Sequence, residues 1–358
     1  MLSVIEPGSC RLGGQPAGRG RGNLSCGERL KPPTALALGS DATRLLQRQS
    51  IAMTTPSKRD GQPFDAWPGA GTGAGPGTLD HEYNTRAWAR DYQETLERHR
   101  SLGEAVRQSA GALLAIPWGA KPRQKLDLLL PKAQRGPLVV YLHGGFWQFR
   151  SSGKEGGAFL APEFLRRGIA YAGVSYELCP AVNMDQMVLQ IREAVSWLVH
   201  RAPGFGYDID RLTLVGHSAG AHLAAMAALS DWESLGVRSN LIAGVCGVSG
   251  IYDLRPLLHT QLNSALRMSR EEAVRCSPLM HLRRDSPSML VSYGAGESTE
   301  FKRQTLDFFH ACRSREIDTA VYELAGRDHY AAIEDVVAPG HPLLDATMAL
   351  ALGTTAAA

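Results

Sequence analysis

The chain has 358 residues, is 44% hydrophobic and carries a formal net charge of +3 at pH 7, enough for one large α/β domain or two smaller ones. Residues 1–52 hold seven Lys/Arg against three acids, leaving 31 basic and 32 acidic side chains in the remainder; that balance argues against a nucleic-acid or anionic-membrane surface on the body. No run approaches the roughly 18–20 apolar residues of a membrane span, and six scattered cysteines with no CxxC pair argue against a disulfide framework or a metal site and for a cytoplasmic setting.

In chain order, residues 1–78 are Gly-, Pro- and Arg-rich without periodicity and are expected to be a disordered N-terminal extension. Translation starting at Met53 and, on Arg-rich TRLLQRQSIAM, an organelle-targeting segment are further readings of this part. From residue 79 the chain alternates helical and strand patterns, which predicts a mostly parallel sheet covered on both faces. A polar, aromatic-spotted helical segment covers about Glu82 to Gln108. KLDLLLP and PLVVYL read as strands, IAYAGVSY as a third, and MDQMVLQIREAVSWLVHRA as a helix closed by PGFGYD. RLTLVG is a strand feeding the helix AHLAAMAALS, LIAGVCGVSG is a central strand, and SMLVSYG and TAVYELAG complete the sheet before a last helix from about His341 to Leu352. Residues Asp253 to Cys276 break the alternation at a strand's C-terminal end, where open sheets bind ligands, and read as a small helical cap over a site.

The joint between RLTLVG and its helix is GHSAG, with Ser218 flanked by Gly216 and Gly220. A serine on a strained strand-to-helix turn exposes its hydroxyl beside helix-start amides, the arrangement nucleophilic catalysis needs. Acyl transfer also needs oxyanion donors, a base and an acid that orients it. HGGFW follows directly on PLVVYL and offers the N–H groups of Gly144 and Gly145, with that of Ala219 as partner. His329, in AGRDHY after the last strand, is the expected base. His143, His200, His217, His222 and His310 read as structural. The order of such triads is Ser, acid, His, which both Glu297 and Asp253 satisfy; Glu297, after a strand that ends in a glycine turn, is favoured, and Asp253 stays open as the alternative acid or a helix cap.

HGGFWQ, SYELCPAVNMDQMVLQIREAVSWL, GHSAGAHLAA, SGIYDLRPL and EFKRQTLDFF together resemble the arylformamidase (kynurenine formamidase) branch of the α/β-hydrolases, from about Asp80 to the C-terminal helix. The resemblance implies an α/β-hydrolase catalytic domain over 79–358, a triad of Ser218, Glu297 and His329, and hydrolysis of N-formyl-L-kynurenine to L-kynurenine and formate, with no metal or organic cofactor. Two details depart from the family's pattern: the acid is often aspartate, and GRDHY stands where an Asn-His-Phe pattern is expected. An aromatic formanilide would suit Phe146 and Trp147 beside the oxyanion turn and Tyr252 after the SG turn as substrate-binding rings, with Tyr83 and Asn84 as further lining candidates. The expected partner is a small molecule, an aryl formamide or ester, with neither nucleic acid nor membrane, and a homodimer is compatible with the chain. The competing readings are a general carboxylesterase on small acyl or aryl esters, which would share the mechanism, and a non-catalytic binding module.

Overall fold

In a computed structural model, the chain is described over residues 76–109, 111–132 and 136–354. The expected N-terminal extension therefore lies, but for its last three residues, outside the described part.

Among the described residues, eight strands form one sheet in the order β1-β2-β4-β3-β5-β6-β7-β8. They are β1 (Ala112–Pro117), β2 (Lys125–Leu129), β3 (Leu138–Leu142), β4 (Ala170–Val174), β5 (Leu212–His217), β6 (Ile242–Val248), β7 (Ser288–Gly294) and β8 (Thr319–Leu324). From β4 across to β8 every neighbouring pair is parallel, whereas β2 runs antiparallel to β4 and to β1. The central strands LVVYL, LTLVGH and IAGVCGV are near-continuous apolar runs because helices cover both faces and neither side meets water. The two faces close on separate apolar clusters, one around Leu142, Leu214 and Trp147, the other around Val139, Val215 and Phe164.

Strand β1 went unread in the sequence, and its geometry shows why. Ala115 sits at φ 53° in an irregular stretch between Leu113 and Ile116, and its N–H is taken by the Asp127 carboxylate at 2.7 Å. The strand is thus a bulged edge whose pairing depends on a buried acid twelve residues away. Arg107 and Lys154 meet that acid at 2.8 and 3.0 Å, so its charge is compensated.

The predicted polar N-terminal helix is three pieces: α1 (Pro76–Glu82), a single 3₁₀ turn over Thr85–Trp88 and α2 (Tyr92–Arg107), capped by Asp91 on the Glu94 N–H. Helix α3 (Ala161–Arg166) precedes β4. Helix α4 (Met184–Phe205) starts in a capping box between Asn183 and Gln186 and stops at Gly206, φ 80°. Helix α5 (Ala219–Ala228) is buried on every side. After β6, α6 (Asn263–Leu266) and α7 (Arg270–Arg275) form the predicted insertion. Glu272 of α7 accepts from the Met184 and Asp185 N–H groups at the start of α4, and Arg275 pairs with Asp185 at 2.6 Å. Helix α8 (Thr299–Arg313) lies between β7 and β8, and α9 (Pro342–Leu352) ends the described chain close to its predicted bounds. Ser218, Ser249, Glu297 and His329 thus all follow the C-terminal ends of parallel strands, along one edge of the sheet.

Candidate active site

The turn at Ser218 is steric in origin. Ser218 holds φ 57° and ψ −121°, outside the regions that a serine occupies readily. A Cβ on Gly216 would run into the Gly220 carbonyl, and one on Gly220 into the carbonyl of Leu142. Both glycines are therefore required for β5, α5 and β3 to meet, and the strain at Ser218 is the result of that approach. The serine N–H bonds the Val248 carbonyl at 2.8 Å, which ties the turn to β6.

The glycine turn after β3 lies against it. A Cβ on Gly144 would stand 3.1 Å from Ser218 Cβ. Gly145, Phe146 and Trp147 then follow with φ of 111°, 47° and 58°, so three left-handed residues in a row swing the chain round the serine. Among the described residues no acceptor meets the N–H of Gly144 or Gly145, and that of Ala219, the first residue of α5, has no intrahelical partner.

His329 faces Glu297: Nδ1 and Oε1 are 3.4 Å apart with both side chains buried, a charge-pair distance beyond the span of a good hydrogen bond. The same carboxylate oxygen accepts a hydrogen bond from Ser249 Oγ. Ser249, fully buried and at φ 53°, is positioned by its own N–H on the Ser292 carbonyl at 2.7 Å. Sequence reading passed over it; the signal available was a small polar residue ending an otherwise apolar central strand. Asp253 is placed differently. Its carboxylate forks onto the Arg255 guanidinium at 2.9 and 2.8 Å and caps the following turn through the Arg255 N–H.

Three histidines lie beside the serine, His143 and His222 buried and His217 half-buried in the cleft wall. His217 Nε2 donates to the His329 carbonyl at 2.7 Å, and burial, with the neighbouring His329 charge, lowers its pKa to about 3. His143 stacks on Tyr176 with centroids 4.3 Å apart, and burial lowers it to about 4. His222 is likewise lowered by burial to about 4; it donates to the Cys276 carbonyl at 2.6 Å and accepts from Trp147 Nε1 at 3.2 Å. With pKa values this low, all three are neutral at physiological pH. Asp328 accepts from the Tyr330 and Ala331 N–H groups, so it shapes the loop that carries His329.

Ser218, His329, Gly144 and Gly145 open onto one cleft of about 210 Å³. Its remaining walls include Tyr141, Phe146, Phe149, Tyr330 and Ile333, together with Thr85, Arg86, Leu96, His99 and Arg100 from the N-terminal segment. Of the rings expected to bind substrate, Phe146 is in the wall. Trp147 and Tyr252 are not: the left-handed run sends Trp147 into the core onto His222, and Tyr252 stacks on Phe308 at 4.1 Å. Tyr83 is buried too, donating to Glu300 at 2.6 Å and accepting from Gln304 at 2.9 Å, while Asn84 is exposed outside the wall. The insertion holding α6 and α7 contributes nothing to the lining; its place over the cleft is taken by the 3₁₀ turn and α2.

This geometry agrees with what the chain is similar to. The BD-FAE family model matches residues 126–310. The kynurenine formamidase of Salmo salar is 38% identical over 273 residues, covering 72% of this chain and 90% of that protein; that of Danio rerio is 35% identical over the same shares. The chain belongs to the kynurenine formamidase family of α/β-hydrolases. A solved Silicibacter structure assigned to the thioesterases superposes with a TM-score of 0.65 at 30% identity, covering 74% of this chain and 97% of that one. Membership in the kynurenine formamidase family makes the protein a hydrolase of amide or ester bonds, and among the described residues no helix is long and apolar enough to cross a membrane.

Proposed function

We propose that the protein hydrolyses N-formyl-L-kynurenine to L-kynurenine and formate through a formyl-serine intermediate, with Ser218 as nucleophile, His329 as general base and Glu297 as the acid that orients it. The carrying observation is that one cleft presents Ser218, His329 and the glycine turn against an aromatic wall, in a chain that covers nine-tenths of the kynurenine formamidases of Salmo salar and Danio rerio. His329 takes the Ser218 proton as Oγ attacks the formyl carbon, and the N–H groups of Gly144, Gly145 and Ala219 hold the oxyanion. The imidazolium returns that proton to the aniline nitrogen as the C–N bond breaks. Water, deprotonated by the same histidine, then attacks the formyl carbon; the bond to Ser218 Oγ breaks, the imidazolium returns its proton to that oxygen, and formate leaves. Glu297 stabilises the imidazolium, and Ser249 fixes the carboxylate by donating to it. Phe146, Phe149 and Tyr330 offer the aryl ring contacts worth about 0.5–1.5 kcal/mol beyond burial.

Neither a metal nor an organic cofactor enters this course. A cytoplasmic setting is supported by Cys179, Cys246, Cys276 and Cys312, all buried and unbridged. The deciding experiment assays purified protein on N-formyl-L-kynurenine and p-nitrophenyl acetate in parallel, with Ser218→Ala as the blank. The expected result is kcat/KM for the formamide of at least about 10⁴ M⁻¹s⁻¹, well above that for the ester. Ester turnover alone would keep the nucleophile and give the protein the carboxylesterase reading.

A further inference from the structure

We infer that Arg86 is the carboxylate-binding residue of the cleft and selects formamides that carry an α-amino-acid side chain over neutral aryl formamides, an inference that rests on the function proposed above. Three charged groups other than histidine line the cleft: Arg86, Arg100 and Glu155. Two have partners at hand, since Arg100 pairs with Glu97 on the same helix and Glu155 takes Lys154 Nζ at 2.6 Å. Among the described residues no carboxylate lies within ion-pair distance of Arg86.

What Arg86 has in place of an acid is aromatic support. Its guanidinium lies over the ring of Tyr92 at 5.3 Å and over that of Phe149 at 5.9 Å. Such contacts hold the plane of the fork through its faces and leave the N–H donors along its edge, the geometry that grips a carboxylate with two parallel hydrogen bonds. The backbone beneath it is anchored at two points. Tyr83, three residues earlier, is bonded to Glu300 of α8, and Thr85 Oγ1 meets Tyr330 Oη at 2.9 Å. Tyr330 is the neighbour of His329, so the arginine stands one contact from the loop that holds the base.

A substrate whose formamide carbon sits at Ser218, with its ring along Phe146 and Phe149, would extend its far end toward this wall. An anionic group there meets an arginine that no acid among the described residues engages. Neutral formanilide would use the same catalytic groups and leave Arg86 idle.

The test is a comparison of N-formyl-L-kynurenine with formanilide in the intact protein, in Arg86→Gln, Arg86→Lys and Arg100→Gln. Arg86→Gln is expected to lower kcat/KM for N-formyl-L-kynurenine by about 10- to 100-fold, the loss of a charge-assisted pair, chiefly through KM. Its turnover of formanilide should stay within about twofold of the parent's. Arg86→Lys, which keeps the charge and loses the fork, should fall between, and Arg100→Gln should leave the ratio of the two substrates unchanged. Equal losses on both substrates, or none on either, would overturn the inference while leaving the formamidase reading intact. A parent protein inactive on both formamides would overturn that reading, and the inference with it.

Discussion

The turn around Ser218 and the wall formed by the 3₁₀ turn and α2 border the same cleft, yet they are held by opposite means. At the serine, glycine and alanine let three main chains approach until no Cβ would fit between them, and neutral histidines fill the remaining gaps. In the wall and just before it, the side chains of Tyr83, Thr85 and His99 reach more than 200 residues along the sequence to Glu300, Tyr330 and Glu334. Close packing fixes atoms to fractions of an ångström and tolerates little change, whereas a few side-chain hydrogen bonds, each worth about 1 kcal/mol net, permit adjustment. In the function proposed above the chemistry sits on the stiff side, and in the inference on Arg86 the choice of substrate sits on the adjustable one.

Changes on the stiff side should affect all substrates alike. Ser218→Ala is expected to lower kcat by on the order of 10⁶ for formamide and ester together; retention of either activity in a burst-free assay would place the nucleophile elsewhere. Glu297→Gln should cost up to about 10⁴ in kcat, as loss of the orienting carboxylate does in other triads, while Asp253→Asn, whose carboxylate is engaged by Arg255, should retain kcat. The reverse pattern would exchange their roles.

The histidines give the stiff side a pH signature. His143, His217 and His222 have folded-state pKa values of about 4, 3 and 4, below the unfolded value of about 6.5. Below that value the unfolded chain binds protons that the folded one refuses. Stability is thus complete above about pH 6.5 and falls as pH drops toward the folded values, by on the order of 2 kcal/mol per histidine at pH 5. Thermal unfolding followed from pH 7.5 to 5 should show Tm falling throughout the lower half of that range; a constant Tm would mean that these rings accept protons while folded.

Smaller effects separate the two sides further. Ser249→Ala removes the hydroxyl that donates to Glu297 and should lower kcat about tenfold, equivalent to one charge-assisted hydrogen bond, with KM unchanged for any substrate. Tyr83→Phe removes the bond that ties the segment leading into the wall to Glu300 and should do the opposite, raising KM for N-formyl-L-kynurenine about threefold with kcat kept. Equal effects of the two substitutions on kcat would erase the distinction drawn between the regions.

The same difference decided what could be read without coordinates. Ser218, Gly144, Gly145 and His329 were legible because each follows a strand and is marked by glycine or by a loop, signals confined to a few residues. The central strands were legible as strands from their uninterrupted apolar runs, but their order in the sheet was not. The wall was illegible: its position depends on pairs such as Tyr83 with Glu300 and Thr85 with Tyr330, which no local pattern announces. The insertion over 253–276 was legible as helices, but its destination was not, because Glu272 and Arg275 tie it to the start of α4 and away from the cleft. Ser249 was hidden for another reason, since a lone serine in an apolar run shows its purpose only once β7 brings Glu297 beside it.

The left-handed run after His143 has a practical consequence for redesign. It sends two neighbouring aromatic side chains in opposite directions, Phe146 into the cleft and Trp147 into the interior. A mutational library aimed at new leaving groups should therefore randomise 146 and 149 and keep 147 fixed; randomising the whole motif as one block would lose most of its members to misfolding before any could be screened.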